Sequence, residues 1–299
     1  MRNYDYLSGI PLISTFSIAA ANPSTGEVGV AVQSKFLAVG AAVPWVSADA
    51  GTIATQSAAN TSYGPRGLAM LRDRIHPSDV IAALIADDEN RDTRQVGVVD
   101  RQGRSATFTG SACFDYAGGL HGENFAVQGN ILAGEPVVSG LREGFLETGG
   151  TFADRLLAAL SLAQANGGDR RGMQSAALYI AKPKGGYGGF NDRYVDLRVD
   201  DHKAPIDELK RLLTLQRLYF ERSTAADLLP LTGERLVEVE AILTENGYQT
   251  GVRGTYDKVT KKALEQYFLT ENFEERWTDA AAIDRHVFDY MIASKSGRS

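Results

Sequence analysis

Residues 15–35 constrain the fold of this chain more than any other stretch, because their pattern is that of two strands joined by a tight turn. Apolar residues alternate with small or polar ones across residues 16–20, and valines alternate in the same way across residues 28–32. A period of two is typical of a strand with one buried face. Residues 22–26 between them include Asn, Pro and Gly, which favour a turn. The stretch therefore predicts a β-hairpin.

Antiparallel pairing of these two strands would bring their polar ends together. Thr15 opens the first strand, and Gln33, Ser34 and Lys35 close the second. A hydroxyl, an amide and an ammonium group would then meet at one end of the sheet. We predict catalytic roles for Thr15, Gln33 and Lys35. The alternative is structural, with Thr15 as a β-branched strand residue and Lys35 as a solvated edge charge.

Composition excludes several classes of function. The chain has 299 residues, enough for one large core or for a domain with a smaller appendage. Its hydrophobic fraction of 43% and charged fraction of 23% are ordinary for a globular protein. The formal charge is −6 and the basic residues are scattered, so we expect no nucleic-acid partner. No stretch approaches the roughly 18 apolar residues of a membrane span, so we expect no membrane partner.

Cysteine and histidine usage gives no indication of a redox or metal site. Cys113 is the only cysteine, which rules out an intramolecular disulfide and favours a reducing compartment. No cation lies beside it in sequence to activate the thiol, so we expect a small buried hydrophobe rather than a nucleophile. The four histidines lack metal-ligand spacing. We therefore predict no metal and no cofactor.

The N-terminal stretch admits one ambiguity. Residues 7–21 are fairly apolar and end in three alanines, as a secretion signal does. Gly9 and Pro11 interrupt the apolar run, however, and cleavage after Ala21 would delete the first strand of the hairpin. We therefore expect that this stretch is not a secretion signal and that the protein is cytoplasmic.

Three carboxamides at predicted strand ends are candidate site residues. Gln56 ends a strand at Gly51–Ser57, and Asn130 follows a strand at residues 125–128. Their N–H groups can donate to a substrate carbonyl or an oxyanion, so we predict catalytic roles for both. The alternative for each is a bond that fixes a loop or turn. Gln128, two residues before Asn130, is a candidate substrate contact.

Three charged residues are also candidates for substrate binding. Arg94 opens a predicted strand, while Asp169 and Arg171 follow the helix end at Gly167 and Gly168. Arginine binds a carboxylate through two hydrogen bonds, and aspartate can orient an ammonium group. The alternative is a turn held by a surface ion pair.

The order of predicted elements indicates layered sheets covered by helices, because strands and helices come in runs without sustained β-α-β alternation. After the hairpin we predict strands at residues 39–43, 51–57, 94–100, 105–109, 125–128, 175–181 and 195–199. We predict helices from residue 65, from residue 77, and at residues 135–148, 152–166 and 206–219. The glycine-rich residues 182–193 lack the ending of a phosphate loop, so we predict a mobile hairpin tip.

Several ordered blocks, together with residues 15–35, resemble one bacterial family. They are Gln33-Ser34-Lys35, Val43-Pro44-Trp45, Ala54-Thr55-Gln56, Arg94–Asp100, Thr107-Phe108-Thr109-Gly110, Gln128-Gly129-Asn130 and Gly167-Gly168-Asp169. Over residues 15 to about 199, the chain is identified as a member of the family catalogued as domain of unknown function 1028, which is similar in fold to N-terminal-nucleophile hydrolases. The resemblance implies an α+β fold, a four-layer αββα sandwich. It also implies that an N-terminal Thr, Ser or Cys attacks an amide, with its own α-amino group as base.

The C-terminal part carries helical patterns and no strand pattern from about Ser223 onward. A second resemblance, to the small helical peptidoglycan-binding-like fold, covers about residues 234–277. It rests on the blocks Leu243-Thr244-Glu245-Asn246-Gly247-Tyr248, Gly254-Thr255-Tyr256-Asp257, Thr260 and Ala263-Leu264. These are mostly packing and turn residues, so the likeness supports a fold better than a ligand. We expect a helical cap or a module for homo-oligomerisation, and we do not expect binding to cell-wall glycan.

The predicted organisation is therefore an N-terminal extension at residues 1–14, a sandwich domain at residues 15–222, and a small all-helical appendage at residues 223–299. Two hypotheses of function follow. In the first, Thr15 is the nucleophile of an amidohydrolase that cleaves a C–N bond in a small polar amide, after the chain is cut between Ser14 and Thr15. In the second, the protein is a non-catalytic scaffold or binds a small ligand on the same fold.

Overall fold

The computed structural model describes residues 15–296, and their fold is mixed α and β with antiparallel sheets. The chain divides after Arg211 into two compact units, called here the sheet unit and the C-terminal unit. The boundary predicted near Ser223 lies further along the chain than this division. The predicted N-terminal extension, residues 1–14, lies outside the described residues.

Ten strands form the described part of the sheet unit, residues 15–211. In chain order they are β1 (Thr15–Asn22), β2 (Glu27–Ser34), β3 (Pro44–Ser47), β4 (Gly51–Ser57), β5 (Arg94–Asp100), β6 (Ser105–Thr109), β7 (Gly118–Gly122), β8 (Phe125–Gly129), β9 (Ser175–Ala181) and β10 (Arg193–Val199). They make a six-stranded sheet in the order β10-β9-β2-β1-β8-β7 and a four-stranded sheet in the order β3-β4-β5-β6. Every neighbouring pair is antiparallel.

The hairpin predicted at residues 15–35 is confirmed, with Thr15 directly opposite Ser34. It lies at the centre of the six-stranded sheet, since β1 also pairs with β8 and β2 also pairs with β9. Successive side chains on a strand point to opposite faces. The register therefore puts Thr15 and Ser34 on one face, and Phe16 and Gln33 on the other.

Four helices of the sheet unit pack on the outer faces of the two sheets. They are α1 (Tyr63–Arg72), α2 (Pro77–Ala86), α3 (Glu135–Glu147) and α4 (Phe152–Ala165). Helices α3 and α4 pack on the six-stranded sheet, while α1 and α2 pack on the four-stranded sheet. The inner faces of the sheets contact each other through β1 with β4, β2 with β3, and β5 with β8.

Side-chain size explains why the two sheets approach each other closely. The layer between them is built from small apolar residues, among them Ala19, Val30, Val32 and Ala54, all fully buried. Burying such residues removes apolar surface from water without forcing the sheets apart. At one end of this layer the apolar residues give way to hydroxyl and carboxamide side chains.

The predicted helices at residues 135–148 and 152–166 are confirmed as α3 and α4. Helix α4 begins with a capping box, in which the Thr151 hydroxyl accepts the Asp154 backbone N–H and the Asp154 carboxylate accepts the Thr151 backbone N–H. Such a cap satisfies donors that the first helical turn leaves unpaired.

The structure corrects the prediction of a strand at residues 39–43. Val39–Ala41 forms a short 3-10 helix instead. Ala38, at φ 53°, turns the chain out of an extended path, and the Ser175 hydroxyl accepts the Val39 N–H. Strands β3 and β7 were not predicted, because Pro44 opens one and glycines make up most of the other.

Residues 182–192 connect β9 to β10, so the hairpin tip predicted at residues 182–193 includes the first residue of β10. Lys182 N donates to Asp192 O at 2.8 Å and Gly186 N donates to Asn191 O at 3.0 Å, so the connection is held by backbone hydrogen bonds. It leaves Tyr187 and Phe190 almost fully exposed.

The C-terminal unit is mainly helical. Helix α5 (Pro205–Phe220) contains the division between the units, and it is followed by α6 (Gly233–Glu245), α7 (Lys258–Thr270) and α8 (Arg285–Ser296). The prediction of an all-helical appendage is wrong in one respect, because β11 (Leu228–Pro230) pairs with β12 (Ala282–Asp284). Within residues 15–296, no helix has both the length and the apolarity needed to span a membrane.

Candidate active site

Four polar residues form a row across one end of the six-stranded sheet. Thr15 pairs with Ser34, which pairs in turn with Ser175. On the other side of Thr15, the Asn130 backbone N–H donates to the Thr15 carbonyl oxygen at 3.0 Å. All four residues are essentially buried. The Thr15 hydroxyl donates to Ser34 Oγ at 3.1 Å, so the predicted nucleophile is held between a serine and an asparagine.

Polar side chains of both sheets continue this row into a buried group that we call the amide–hydroxyl cluster. Its members are Thr15, Ser17, Ser34, Gln56, Gln95, Gln128 and Asn130. All seven are 0–1% exposed. None carries a group that ionises near neutral pH.

Ser17 connects two of the glutamines. Gln128 Nε2 donates to Ser17 Oγ at 2.7 Å, and Ser17 Oγ donates to Gln56 Oε1 at 2.6 Å. The hydroxyl is therefore used both as acceptor and as donor. Gln128, predicted to contact substrate, makes these hydrogen bonds inside the cluster.

Gln56 holds the backbone near Thr15. Its Nε2 donates to Gln95 Oε1 at 2.8 Å, to the Thr15 carbonyl oxygen at 3.3 Å and to the Gln128 carbonyl oxygen at 3.4 Å. With three acceptors for two hydrogens, this amide has little capacity left for an oxyanion. Asn130 differs, because Gln95 Oε1 at 3.0 Å is the only acceptor of its Nδ2 among residues 15–296. Of the two predicted oxyanion donors, Asn130 is the better placed.

A glycine allows Gln128 to reach between the sheets. A Cβ atom on Gly97 of β5 would lie 2.1 Å from Gln128 Oε1, well inside contact distance. The absence of a side chain at Gly97 therefore makes room for the carboxamide. Thr107 Oγ1 on β6 donates to the same oxygen at 3.3 Å.

The residue directly after each predicted oxyanion donor has a strained backbone conformation. Ser57, after Gln56, has φ 68°, and Ile131, after Asn130, has φ 52°. The left-handed region disfavours residues other than glycine, and a β-branched residue there is an outlier. Strain of this kind, about 1–3 kcal/mol per residue, is found at functional sites.

Lys35, Asp169 and Arg171 form a second group at the same sheet end. The fully buried Asp169 carboxylate accepts the Lys35 backbone N–H at 3.2 Å. It also accepts Arg171 Nη2 at 2.8 Å and Arg171 Nε at 3.1 Å. The exposed Lys35 ammonium donates to the Met173 carbonyl oxygen at 3.5 Å. The structure thus brings these three predicted residues together, with Asp169 bound to the backbone of Lys35 and to the guanidinium of Arg171.

Arg94 is engaged away from the cluster. Its Nε and Nη2 donate to the Asp88 carboxylate at 2.9 and 3.2 Å, and the side chains are only 7% and 9% exposed. Burial alone would raise the pKa of Asp88, but hydrogen bonds from Arg94, Asn60 and Tyr63 outweigh it and hold that pKa well below its ordinary value. Burial and the hydrogen bond to Asp88 raise the pKa of Tyr63. Arg94 was predicted to bind a substrate carboxylate, and in the structure it binds the carboxylate of Asp88.

Gln33 does not join the cluster. It pairs with Phe16 rather than Thr15, so its side chain lies on the face that α3 and α4 cover. The residue is fully buried, and neither amide atom has a hydrogen-bond partner in the described part of the chain. An unpaired buried polar group costs about 1–3 kcal/mol.

Cys113 is buried, as predicted. Its Sγ donates to the Arg94 carbonyl oxygen at 3.3 Å, and burial raises the pKa of the thiol. Across residues 15–296, no three His, Cys, Asp or Glu side chains are grouped closely enough to hold a metal ion.

Sequence reasoning missed Gln95, which lies at the centre of the cluster. It occupies the second position of β5, and both faces of that strand are buried. An available signal was a glutamine directly before the apolar residues 96–99 of that strand, since buried polar groups require partners.

Comparison with known proteins agrees with the resemblance stated above. The sequence profile described as "Family of unknown function (DUF1028)" matches residues 15–209, and the profile described as "Putative peptidoglycan binding domain" matches residues 219–291. A crystal structure of a Silicibacter pomeroyi protein of the DUF1028 family is similar, with a TM-score of 0.62 and 34% identity. The match covers 68% of this chain and 89% of that one. No curated protein matches the chain.

Proposed function

Because the chain belongs to the DUF1028 family, whose function is unknown, we propose an activity from the geometry of the amide–hydroxyl cluster. The protein acts as an N-terminal-nucleophile amidohydrolase on an αββα sandwich. Thr15 attacks the carbonyl carbon of a small polar amide, and the C–N bond is cleaved.

One observation carries the proposal. The Thr15 hydroxyl is held at the end of a central strand, among side chains that cannot take up a proton near neutral pH. A hydroxyl nucleophile needs a base. Since the cluster offers none, the α-amino group of Thr15 itself is the best candidate, once the chain begins at that residue.

The proposed reaction has two steps. Thr15 Oγ1 adds to the amide carbonyl carbon, and its proton passes through the α-amino group to the leaving nitrogen as the C–N bond breaks. Water then hydrolyses the resulting ester and restores the hydroxyl. During both steps the Asn130 carboxamide donates to the oxyanion, which gains stabilisation from a donor already in position.

The other predicted residues take supporting roles in this proposal. Gln56 and Gln128 orient Thr15 and Ser17 through the contacts described above. Asp169 holds Lys35 and Arg171 at the sheet end, where their positive charges favour a neutral α-amine and a substrate with a carboxylate. Gln33 and Arg94 have no catalytic or substrate-binding role in it. We place the reaction in the cytoplasm, and the C-terminal unit serves self-association.

The mass of the intact, active protein tests the proposal. We expect a chain that starts at Thr15, because only that chain has the required amine. An amide-hydrolysis screen then compares Thr15→Ala, which should lose turnover, with Thr15→Ser, which keeps a hydroxyl and should retain part of it. Cys113→Ser is the control and should behave as the parent protein.

Two results would overturn the proposal. Active protein that still carries residues before Thr15 would exclude the α-amine as base. Undiminished turnover in Thr15→Ala would exclude Thr15 as nucleophile. A protein that binds a small polar ligand but hydrolyses none of the amides would favour the non-catalytic hypothesis.

A further inference from the structure

The orientation of the Gln95 carboxamide in the amide–hydroxyl cluster is fixed by backbone carbonyl groups. Its Nε2 donates to the Gly129 carbonyl oxygen at 2.8 Å and to the Gly118 carbonyl oxygen at 3.2 Å. It also lies 2.9 Å from Thr109 Oγ1. Carbonyl oxygens only accept hydrogen bonds, so the nitrogen of Gln95 must face them.

This orientation decides where the oxygen of Gln95 points. Oε1 accepts from Gln56 Nε2 at 2.8 Å and from Asn130 Nδ2 at 3.0 Å. Turning the Asn130 amide over would place two oxygens against each other in a fully buried site. The carbonyl groups of Gly129 and Gly118 therefore fix the orientation of the Gln95 amide. The oxygen of Gln95 in turn fixes the position of the Asn130 amide nitrogen.

An amide nitrogen carries two hydrogens, and Gln95 takes only one of those on Asn130. The second is left for another acceptor. Asn130 lies beside Thr15 across the sheet, joined to it by the bond from its backbone N–H. A tetrahedral intermediate formed at Thr15 would develop its negative oxygen in this neighbourhood.

We propose that Gln95 is a positioning residue, which holds the Asn130 amide with one N–H directed toward the oxyanion formed at Thr15. The inference rests on the proposed function of Thr15 and adds a residue to it. Gln95 itself does not contact substrate. It acts through Asn130. It can hold the Asn130 amide in one orientation because the Gln95 amide cannot exchange its oxygen and nitrogen positions.

The first test observes the orientation directly and needs no substrate. Protein labelled with 15N-asparagine is examined by NMR, and the Asn130 side-chain signals are identified as those absent from Asn130→Ala. In the parent protein we expect the two Asn130 amide protons to differ in chemical shift, with the proton bonded to Gln95 exchanging slowly. In Gln95→Met, which removes the amide and keeps the length of the side chain, the shift difference should shrink and exchange should accelerate.

Gln128→Met is the matched control. Gln128 is also a fully buried glutamine of the cluster, but no hydrogen bond joins it to Asn130 among residues 15–296. Its replacement should leave the Asn130 signals in place. Asn130 protons that are already alike and exchange rapidly in the parent protein, or that do not respond to Gln95→Met, would overturn the proposal.

The second test asks whether Gln95 acts through Asn130. A β-lactone that acylates an N-terminal threonine reports the rate at which Thr15 attacks a carbonyl. Loss of an oxyanion donor slows such steps by up to about 10²–10³-fold, and Gln95→Met should cause part of that loss. In an Asn130→Ala background the same substitution should cause almost none, since the group it positions is gone.

Equal rate losses from Gln95→Met with and without Asn130 would show a general structural role and overturn the proposal. If the proposed function of Thr15 is itself wrong, the result is different: acylation is then unaffected by Thr15→Ala. In that case the NMR experiment still decides whether Gln95 orients Asn130.

Discussion

The Asn130 backbone N–H and the Thr15 carbonyl oxygen are joined by a hydrogen bond of 3.0 Å, which extends the pairing of β1 and β8 by one step beyond β8. This bond places the side chains of the two residues on neighbouring strands at the same sheet end. The position of the proposed oxyanion donor relative to the proposed nucleophile is therefore set by the backbone.

The pH dependence of turnover should report an amine. If the base is the α-amino group of Thr15, it must be neutral to act, so the rate should rise with pH through about 7.7–8.0, the usual pKa of such a group. The positive charges of Lys35 and Arg171 would move this midpoint downward. A rate that rises instead near the ordinary pKa of a carboxylate, about 4, would identify an acidic side chain as the base.

Gly97→Ala should destabilise the sheet unit. The added Cβ would lie 2.1 Å from Gln128 Oε1, and that side chain is held by Ser17 and Thr107. Overpacking of this kind costs about 1–3 kcal/mol. Gly149→Ala is the control, since nothing lies within 4 Å of its added Cβ. Denaturant unfolding should separate the two variants, and equal stabilities would show that the Gln128 amide is free to move aside.

The buried pair of Asp88 and Arg94 should make the free energy of unfolding depend on pH in the acid range. The pKa of Asp88 in the fold lies below its ordinary value of 3.8, so the unfolded chain binds the proton more readily. The stability that the ionised Asp88 carboxylate contributes is fully present above about pH 4 and is lost as the pH falls further. Asp88→Ala leaves the Arg94 guanidinium buried without its carboxylate and should cost about 3–5 kcal/mol at neutral pH.

The exposed pair of Asp49 and Arg72 provides the comparison for that variant. Their side chains are 62% and 46% exposed, and Asp49→Ala should cost less than about 1 kcal/mol. Urea unfolding of both variants at pH 7 and at pH 3 measures the difference. An Asp88→Ala protein as stable as Asp49→Ala at pH 7 would contradict the assignment of Asp88 as a structural carboxylate.

A chain that ends at Arg222 should keep the sheet unit folded. The strands of the sheet unit, β1 to β10, and every residue of the amide–hydroxyl cluster precede that point. We expect a single cooperative unfolding transition and the circular dichroism of the sheets to remain. Leu215, Leu218 and Tyr219, which pack against the core of the C-terminal unit, would become exposed and lower solubility. Loss of cooperative unfolding would show that the sheet unit depends on the removed residues.

The elements of the sheet unit could largely be predicted from sequence, because strand period, turn residues and helix caps are local. The hairpin of β1 and β2 is the clearest case. Its register also decides which polar residues meet, and this was not deduced. Since Thr15 pairs with Ser34, the period of two sends Gln33 to the opposite face. Ser34 is thus in the cluster, whereas Gln33 is not.

Gln95 and the role of Arg94 could not be predicted, because they depend on contacts between elements far apart in the chain. Gln95 contacts Gly129, the last residue of a strand in the other sheet, and Asn130, which follows it. Arg94 forms an ion pair with Asp88, which lies in the loop that follows α2. Sequence shows that these side chains are polar, but only the fold shows whether their partners belong to the chain.

The neutrality of the amide–hydroxyl cluster has a consequence for how a substrate arrives. Its field comes from dipoles, which decay with distance faster than that of a net charge and are felt only by a molecule already in contact. The side chains of the cluster therefore cannot attract a substrate from solution, and any dependence of association rate on ionic strength must come from other charged groups, such as Lys35, Arg171 or the α-amino group of a chain that begins at Thr15.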